Sequence, residues 1–186
     1  SQAMNLIDLS VARLGVDLLT INAAKIYGPK GIGALYVARG IRLSPITFGG
    51  GQEMGLRSGT ENVPNLVGFS VASELAKKHL VSSRKQYQAL AKTFREIIEQ
   101  KSKITPLWLG NPKHQLANFI PVCFDGLDAE RLIFKLEERG IYVSTGAACA
   151  ASKGQKSHVL SAIGLSDSEI AGSLRITLGK DTTLED

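Results

Sequence analysis

The sequence predicts an α/β fold, in which short buried strands alternate with amphipathic helices. Residues 16–22 and 33–37 are short apolar runs bounded by glycine and polar residues, which is typical of strands buried in an α/β sheet. From Ser83 onward, apolar residues recur every three or four positions, which indicates a long amphipathic helix. The order of strand and helix patterns along the chain therefore favours α/β over an all-α or all-β fold.

The glycine-rich stretch 48–59 separates the two early strands from the first helix. Asn62 is a good N-cap and Pro64 suits the first helical turn, so a helix is expected to begin there. A second helix is expected from Ser83 and could connect two lobes of the protein. The apolar residues expected to face inward from the first helix are Val63, Leu66, Val67, Val71 and Leu75.

In the second half of the chain, the sequence predicts shorter strands and helices. Residues 116–124 read as a strand, 128–139 as a helix ended by Gly140, 141–143 as a strand, and 158–163 as a short helix.

The last two predicted elements carry clearer local signals. Ser166 and Glu169 have the spacing of a capping box at the start of a helix. In the final strand, residues 174–178, apolar and polar residues alternate, so Arg175 is expected to point away from the core. An arginine placed in this way is free to bind an anion.

Composition limits the functional classes. The chain has 186 residues, 44% of them apolar, and its net charge of +5 comes from 22 basic and 17 acidic residues without a block of like charge. This pattern gives no support to nucleic-acid binding, and no apolar run of about 18 residues predicts a membrane span. We expect a cytoplasmic protein that is part of a longer chain, because residues 1–4 lack an initiator methionine and lead directly into structured-looking sequence.

Lys25 is the most informative single residue. It follows an apolar strand pattern and precedes the turn Gly28-Pro29-Lys30-Gly31. A lysine that attacks an aldehyde must be held on rigid backbone and partly shielded from water, with room for a flat cofactor beside it. A surface lysine at the start of an ordinary turn would give the same local pattern, so this window leaves both interpretations open.

The stretch 49–60 could bind phosphate. It offers many glycine backbone amides together with Arg57, Ser58 and Thr60, and such amides can cradle an anion. Arg57 could equally form a structural ion pair. The nucleotide-binding glycine signatures are absent.

The two cysteines, Cys123 and Cys149, predict neither a disulfide framework nor a metal site, because no further cysteine or histidine lies at ligand spacing. Cys149 lies among small residues in the stretch 144–154, where a thiol is expected to be exposed and able to reach a substrate. Cys123 lies within a strand pattern and is expected to be a small buried side chain.

Four motifs in this order resemble those of the pyridoxal-phosphate-dependent cysteine desulfurases of the NifS/IscS type, which are class V aminotransferase relatives. The motifs are Lys25-Ile26-Tyr27-Gly28-Pro29-Lys30-Gly31, Gly49-Gly50-Gly51-Gln52-Glu53 with Arg57-Ser58-Gly59-Thr60, Ser144-Thr145-Gly146-Ala147-Ala148-Cys149, and Arg175-Ile176-Thr177-Leu178-Gly179. The resemblance runs from end to end and covers the family's C-terminal half.

The resemblance implies the C-terminal half of a fold-type-I enzyme that acts as a homodimer on L-cysteine. Residues 1–80 would complete a large, mainly parallel-sheet domain that binds pyridoxal phosphate, and 81–186 would form a small α+β domain with the catalytic cysteine loop at about 144–157. The products would be L-alanine and a persulfide, passed to an iron–sulfur scaffold or a sulfur-relay protein. We expect the chain as given to be inactive on its own.

The resemblance also implies roles for individual residues. Lys25 would be the Schiff-base lysine, Cys149 the persulfide-forming nucleophile and Arg175 the ligand of the substrate carboxylate. Thr60 would bind the phosphate in the neighbouring subunit, and Gln2 would donate a hydrogen bond to the cofactor's phenolic oxygen.

The chain differs from the family pattern near the phosphate, where Asn22 and Ala24 replace a serine and a histidine. Asn22 can still donate a hydrogen bond to the phosphate, whereas Ala24 cannot. Two other functions stay open at this point: another fold-type-I lyase or aminotransferase that does not use Cys149, and a non-catalytic sulfur-carrier or interaction module.

Overall fold

The computed structural model describes residues 1–111, 113–146 and 157–186. These residues form helices and strands of an α/β protein, as the sequence predicts. The chain divides into two compact units, Ser1–Ser83 and Arg84–Asp186. The assignment of 1–80 and 81–186 to the large and small domains of a fold-type-I enzyme stays a prediction. None of the helices among the described residues is long and apolar enough to cross a membrane.

The first unit contains a short helix, a two-stranded ribbon and the first part of a long helix. Its elements are α1 (Val11–Leu14), β1 (Leu18–Asn22), a 3₁₀ turn (Ala23–Ile26), β2 (Gly33–Val37), a second 3₁₀ turn (Glu53–Gly55) and the start of α2 (Val63–Lys101). Strands β1 and β2 are antiparallel, with Leu18 opposite Val37 and Asn22 opposite Gly33.

The core of the first unit lies between the 3₁₀ turn and α2. Ala23, Ile26, Phe69 and Ala72 are buried together there, and Met4, Ile21, Ile32 and Ala76 pack around them. Burial of the two large side chains, Ile26 and Phe69, contributes about 1.5–3 kcal/mol each relative to an exposed position. This packing fixes the backbone on both sides of Lys25.

The prediction that β1 and β2 are buried is wrong for this unit. Leu18 and Leu35 are 46% and 49% exposed, because β1 pairs only with β2 among the described strands and the ribbon is not enclosed by a larger sheet.

The prediction for the first helix is also wrong in two respects. The helix continues without interruption from Val63 to Lys101, so no separate second helix begins at Ser83. The face expected to be buried is exposed, since Val63, Val67, Val71 and Leu75 each keep half or more of their surface, while Phe69 and Ala72 on another face form the core contact.

In its described residues, the second unit combines the rest of α2 with a three-stranded antiparallel sheet and three short helices. The strands are β3 (Leu107–Trp108), β4 (Phe119–Cys123) and β5 (Ser173–Thr177), in the order β3-β4-β5. The helices are α3 (Ala129–Glu137), α4 (His158–Ala162) and α5 (Asp167–Ala171). Val122, Ala129 and Leu174 form the buried centre between the sheet and α3.

Local signals in the second unit are mostly confirmed. Asp128 caps α3 by accepting a hydrogen bond from the Arg131 amide, and Ser166 and Glu169 form the expected capping box at α5. The strand expected at residues 141–143 is wrong, because only Ser144 pairs, through an isolated bridge to Arg175.

Candidate active site

Lys25 lies on the 3₁₀ turn that directly follows β1, as its motif predicts. Its neighbours Ala23 and Ile26 are 0% and 3% exposed, so the backbone of the turn is anchored in the core while the Lys25 side chain is exposed. The partial shielding from water expected for this amine is therefore not supplied by residues of the first unit. Within that unit, Lys25 has no hydrogen bond or ion pair, so its amine is accessible to an aldehyde.

Asn22 organises the start of the same turn. Its Oδ1 accepts a hydrogen bond of 2.9 Å from the Ala24 amide, which is the geometry of an N-cap. Asn22 thus uses its acceptor to hold the turn and keeps its Nδ2 donor for another ligand. This structural role explains why a short polar side chain suits position 22.

The turn after Lys25 is held by a left-handed residue and a close helix contact. Tyr27 has φ 64°, a conformation unusual for a non-glycine residue, and the Gly28 amide donates to the Ala23 carbonyl at 2.9 Å. A Cβ at Gly28 would lie 3.0 Å from the Ala72 Cβ, so glycine lets the turn approach α2. The backbone around Lys25 is consequently tightly fixed.

The predicted phosphate loop uses some of its amides for its own closure. The Gly51 amide donates to Ser58 Oγ at 3.3 Å, and the Gly59 amide donates to Gln52 Oε1 at 3.0 Å. These two amides are thus not available to phosphate in this conformation, and phosphate binding by the other amides of the loop stays a prediction.

Three further residues with predicted roles in the first unit are exposed: Gln2, Arg57 and Thr60. Arg57 donates to the Ser58 carbonyl at 3.5 Å and forms no ion pair among the described residues. The structural ion pair considered for Arg57 is therefore not present there, and its guanidinium retains most of its donors.

Arg175 lies in the middle of β5, in the second unit. Its amide donates to the Ser144 carbonyl at 2.6 Å, and the Ser144 amide donates back to the Arg175 carbonyl at 3.3 Å. The guanidinium carbon lies 5.8 Å from the centroid of the Phe119 ring. The Arg175 Nε is buried and has no hydrogen-bond partner among the described residues.

The surroundings of Arg175 are suited to a small anion. A cavity of about 190 Å³ is lined by Tyr142, Val143, Ser144, Arg175 and Thr177. The outer guanidinium nitrogens of an arginine can pair with a carboxylate, so Arg175 could hold such an anion in the cavity. The alternation of β5 predicted that Arg175 points away from the core, whereas the roles of Ser144 and Phe119 beside it were missed, since only tertiary contacts reveal them.

Of the two cysteines, the structure describes only Cys123. Cys123 is fully buried, as predicted, and burial raises the pKa of its thiol, although a hydrogen bond with Ser173 opposes that shift. A buried, protonated thiol is a poor nucleophile. Cys149, predicted as the persulfide-forming residue, lies outside the described residues.

The residues present fit pyridoxal phosphate in chemical terms. In the first unit, Lys25 supplies an accessible amine on a fixed turn and Asn22 retains a free amide donor. In the second unit, taken by itself, Arg175 lines a cavity and its guanidinium can pair with a carboxylate. A flat aldehyde cofactor that binds an amino acid requires these three kinds of group.

The α/β architecture agrees with the class V aminotransferase model, which matches residues 1–186. The chain belongs to that family.

Comparison with individual proteins shows which members of the family the chain resembles. The chain is 44% identical to cysteine desulfurase IscS 1 of Archaeoglobus fulgidus over 97% of its own length and 47% of the relative's. Its structure is similar to that of a NifS-like protein, with a TM-score of 0.86, 33% identity and coverage of 98% of this chain and 46% of the other. It is also similar to SspA, solved in complex with cysteine, with a TM-score of 0.71, 36% identity and coverage of 95% and 48%. The chain spans about half the length of the relatives it matches.

Proposed function

We propose that the chain is part of a cysteine desulfurase, which converts L-cysteine and a protein thiol into L-alanine and a protein persulfide. The observation that carries this proposal is the exposed Lys25 amine, fixed on a turn anchored by Ala23 and Ile26 directly after β1. End-to-end similarity to proteins named cysteine desulfurase supports it. The cytoplasm is the proposed location.

The proposed roles of the residues follow from their chemistry. Lys25 would hold the cofactor aldehyde and move the proton from the substrate Cα. Gln2, Asn22 and Thr60 would donate hydrogen bonds to the cofactor, Thr60 to the one bound in the partner subunit of a homodimer. Pyridoxal phosphate would supply an electron sink for the pair released at Cα.

Arg175 would orient the substrate. Its guanidinium can bind a carboxylate through two hydrogen bonds, and the buried unpaired Nε supports this use. Holding the carboxylate would fix the direction of the single Cα–H bond of L-cysteine, and such positioning is a large part of what substrate-orienting residues contribute to the rate.

Cys149 would be the sulfur acceptor. Its thiolate would attack the substrate sulfur, so that an S–S bond forms while the Cβ–S bond breaks. The electron pair of the broken bond stays with Cβ, where one proton completes the methyl group, and a second proton returns to Cα to give alanine. The Cys149 persulfide would then pass its outer sulfur to an iron–sulfur scaffold or another acceptor protein.

The first experiment is to mix the chain with pyridoxal phosphate, reduce with borohydride and map the modified peptides. Modification is expected on Lys25 and lost in Lys25→Ala. Lys30→Ala is the matched control, because Lys30 is an exposed lysine in the turn that follows Lys25. Modification spread equally over Lys25, Lys30 and other lysines would contradict the assignment.

The second experiment uses the whole protein with L-cysteine and detects the persulfide by mass spectrometry. We expect it on Cys149, abolished in Cys149→Ser and retained in Cys123→Ala. Unchanged turnover of Cys149→Ser would favour another pyridoxal-phosphate lyase or aminotransferase instead. A whole protein that binds a scaffold but not the cofactor would favour the sulfur-carrier alternative.

A further inference from the structure

A second cavity lies wholly within the second unit, between α2 and residues 115–119. Its volume is about 280 Å³, which is slightly below the range of sites for drug-sized ligands. Its lining includes Lys92, Arg95 and Glu96 from α2, and Gln115 and Phe119 from the other wall. None of the residues proposed to bind cofactor or substrate belongs to it.

Two polar atoms of the lining residues are buried without hydrogen-bond partners among the described residues: the Arg95 Nε donor and the Gln115 Oε1 acceptor. Both side chains are already held in place. The Arg95 guanidinium carbon lies 5.2 Å from the centre of the Trp108 ring, and Gln115 Nε2 donates to the Phe119 carbonyl. An occupant that pairs with both side chains must offer an acceptor to Arg95 and a donor to Gln115.

The charges around the cavity place a second requirement on a ligand that binds there. Lys92 and Glu96 are 3.8 Å apart and largely exposed, so their ion pair is weak and both groups keep free hydrogen-bonding sites. With Arg95, the lining presents two cations and one carboxylate. A simple anion such as phosphate would be repelled by Glu96 and would leave Gln115 Oε1 unpaired.

We propose that this cavity binds a free amino acid, whose carboxylate pairs with Arg95 and Lys92 and whose ammonium pairs with Glu96 and Gln115 Oε1. The site is separate from the proposed catalytic centre and does not depend on the proposed desulfurase activity. An amino acid meets both requirements at once, because its anionic acceptor and its cationic donor are joined through a single carbon.

Trp108 provides a direct readout. It is the chain's single tryptophan, and it contacts the cavity-lining Arg95. We would titrate the chain with glycine, L-alanine and L-leucine, following Trp108 fluorescence and measuring heat by calorimetry. Acetate and methylamine, which carry the carboxylate and the amine separately, are the comparison ligands. A saturable response to at least one amino acid, with little response to acetate or methylamine, is expected.

Variants then locate the site. Gln115→Leu and Glu96→Gln should each weaken binding about tenfold or more, since each removes a partner of the ammonium. Lys101→Met, on the same helix outside the cavity, should bind as the unmodified chain does. Absence of saturable binding by all three amino acids, an equal response to acetate, or unchanged affinity in both cavity variants would overturn the proposal.

Discussion

Replacing Gly68 with alanine tests the close contact between α2 and the turn that follows Lys25. Gly68 lies inside α2, where alanine is preferred to glycine by about 1 kcal/mol in helix propensity. A Cβ at this position would, however, lie 2.6 Å from Pro29 Cγ and 3.2 Å from Pro29 Cδ. Carbon atoms normally approach to about 3.5–4.0 Å, so the turn or the helix must move.

Overpacking of this kind costs about 1–3 kcal/mol, and the helix gain offsets about 1 kcal/mol of it. Gly68→Ala is therefore expected to lower the free energy of unfolding by about 0–2 kcal/mol, measured by urea denaturation with far-UV circular dichroism.

The double variant Gly68→Ala with Pro29→Ala provides the control. Without the proline ring, alanine at position 68 should stabilise the chain relative to Pro29→Ala alone, so the two substitutions should couple by about 1–3 kcal/mol. If Gly68→Ala stabilises the unmodified chain by the full helix gain, or if the two substitutions are additive, the contact does not hold the turn as described.

Three further predictions concern single side chains. Because burial raises the pKa of the Cys123 thiol, its stabilising contribution should be complete below the unfolded value of about 8.5 and fall at higher pH; urea midpoints that fall equally with pH in Cys123→Ala would contradict this. Hydrogen bonds from the Ser166 side chain and backbone lower the pKa of Glu169, so its contribution should be present above about pH 4.3 and lost as the pH falls. Glu169→Gln should flatten that acid-side loss, and an identical acid unfolding curve would refute the effect. Asn22→Ala should cost about 1 kcal/mol by removing the cap of the Lys25 turn, and an unchanged urea midpoint would contradict that role.

Features governed by neighbouring residues could be predicted from the sequence. The capping box of Ser166 and Glu169 depends on spacing within one element, and it is present. The burial of Cys123 followed from its apolar neighbours in the strand. The fold class followed in the same way from the order of the apolar patterns.

Features that depend on which surfaces meet could not be predicted. The apolar residues Val63, Val67 and Val71 share a face of α2, but periodicity does not reveal whether that face is covered in this chain. Phe69 and Ala72 of α2 instead contact the 3₁₀ turn. Ala72 is small, so the backbone of the chain at Gly28 can approach the helix there. The hydrogen bonds that Ser58 and Gln52 accept from amides of their own loop likewise depend on how the loop closes.

Phe119 has two neighbours of different kinds. Its side chain belongs to the lining of the larger cavity, and its ring lies 5.8 Å from the Arg175 guanidinium carbon. A ligand that shifts this ring changes the electrostatic surroundings of Arg175, and an anion held by Arg175 acts on the ring in turn. Thermodynamic reciprocity requires the two effects on affinity to be equal. A ligand in the larger cavity that moves the Phe119 ring would therefore be measurable as a change in anion binding at Arg175, and the reverse.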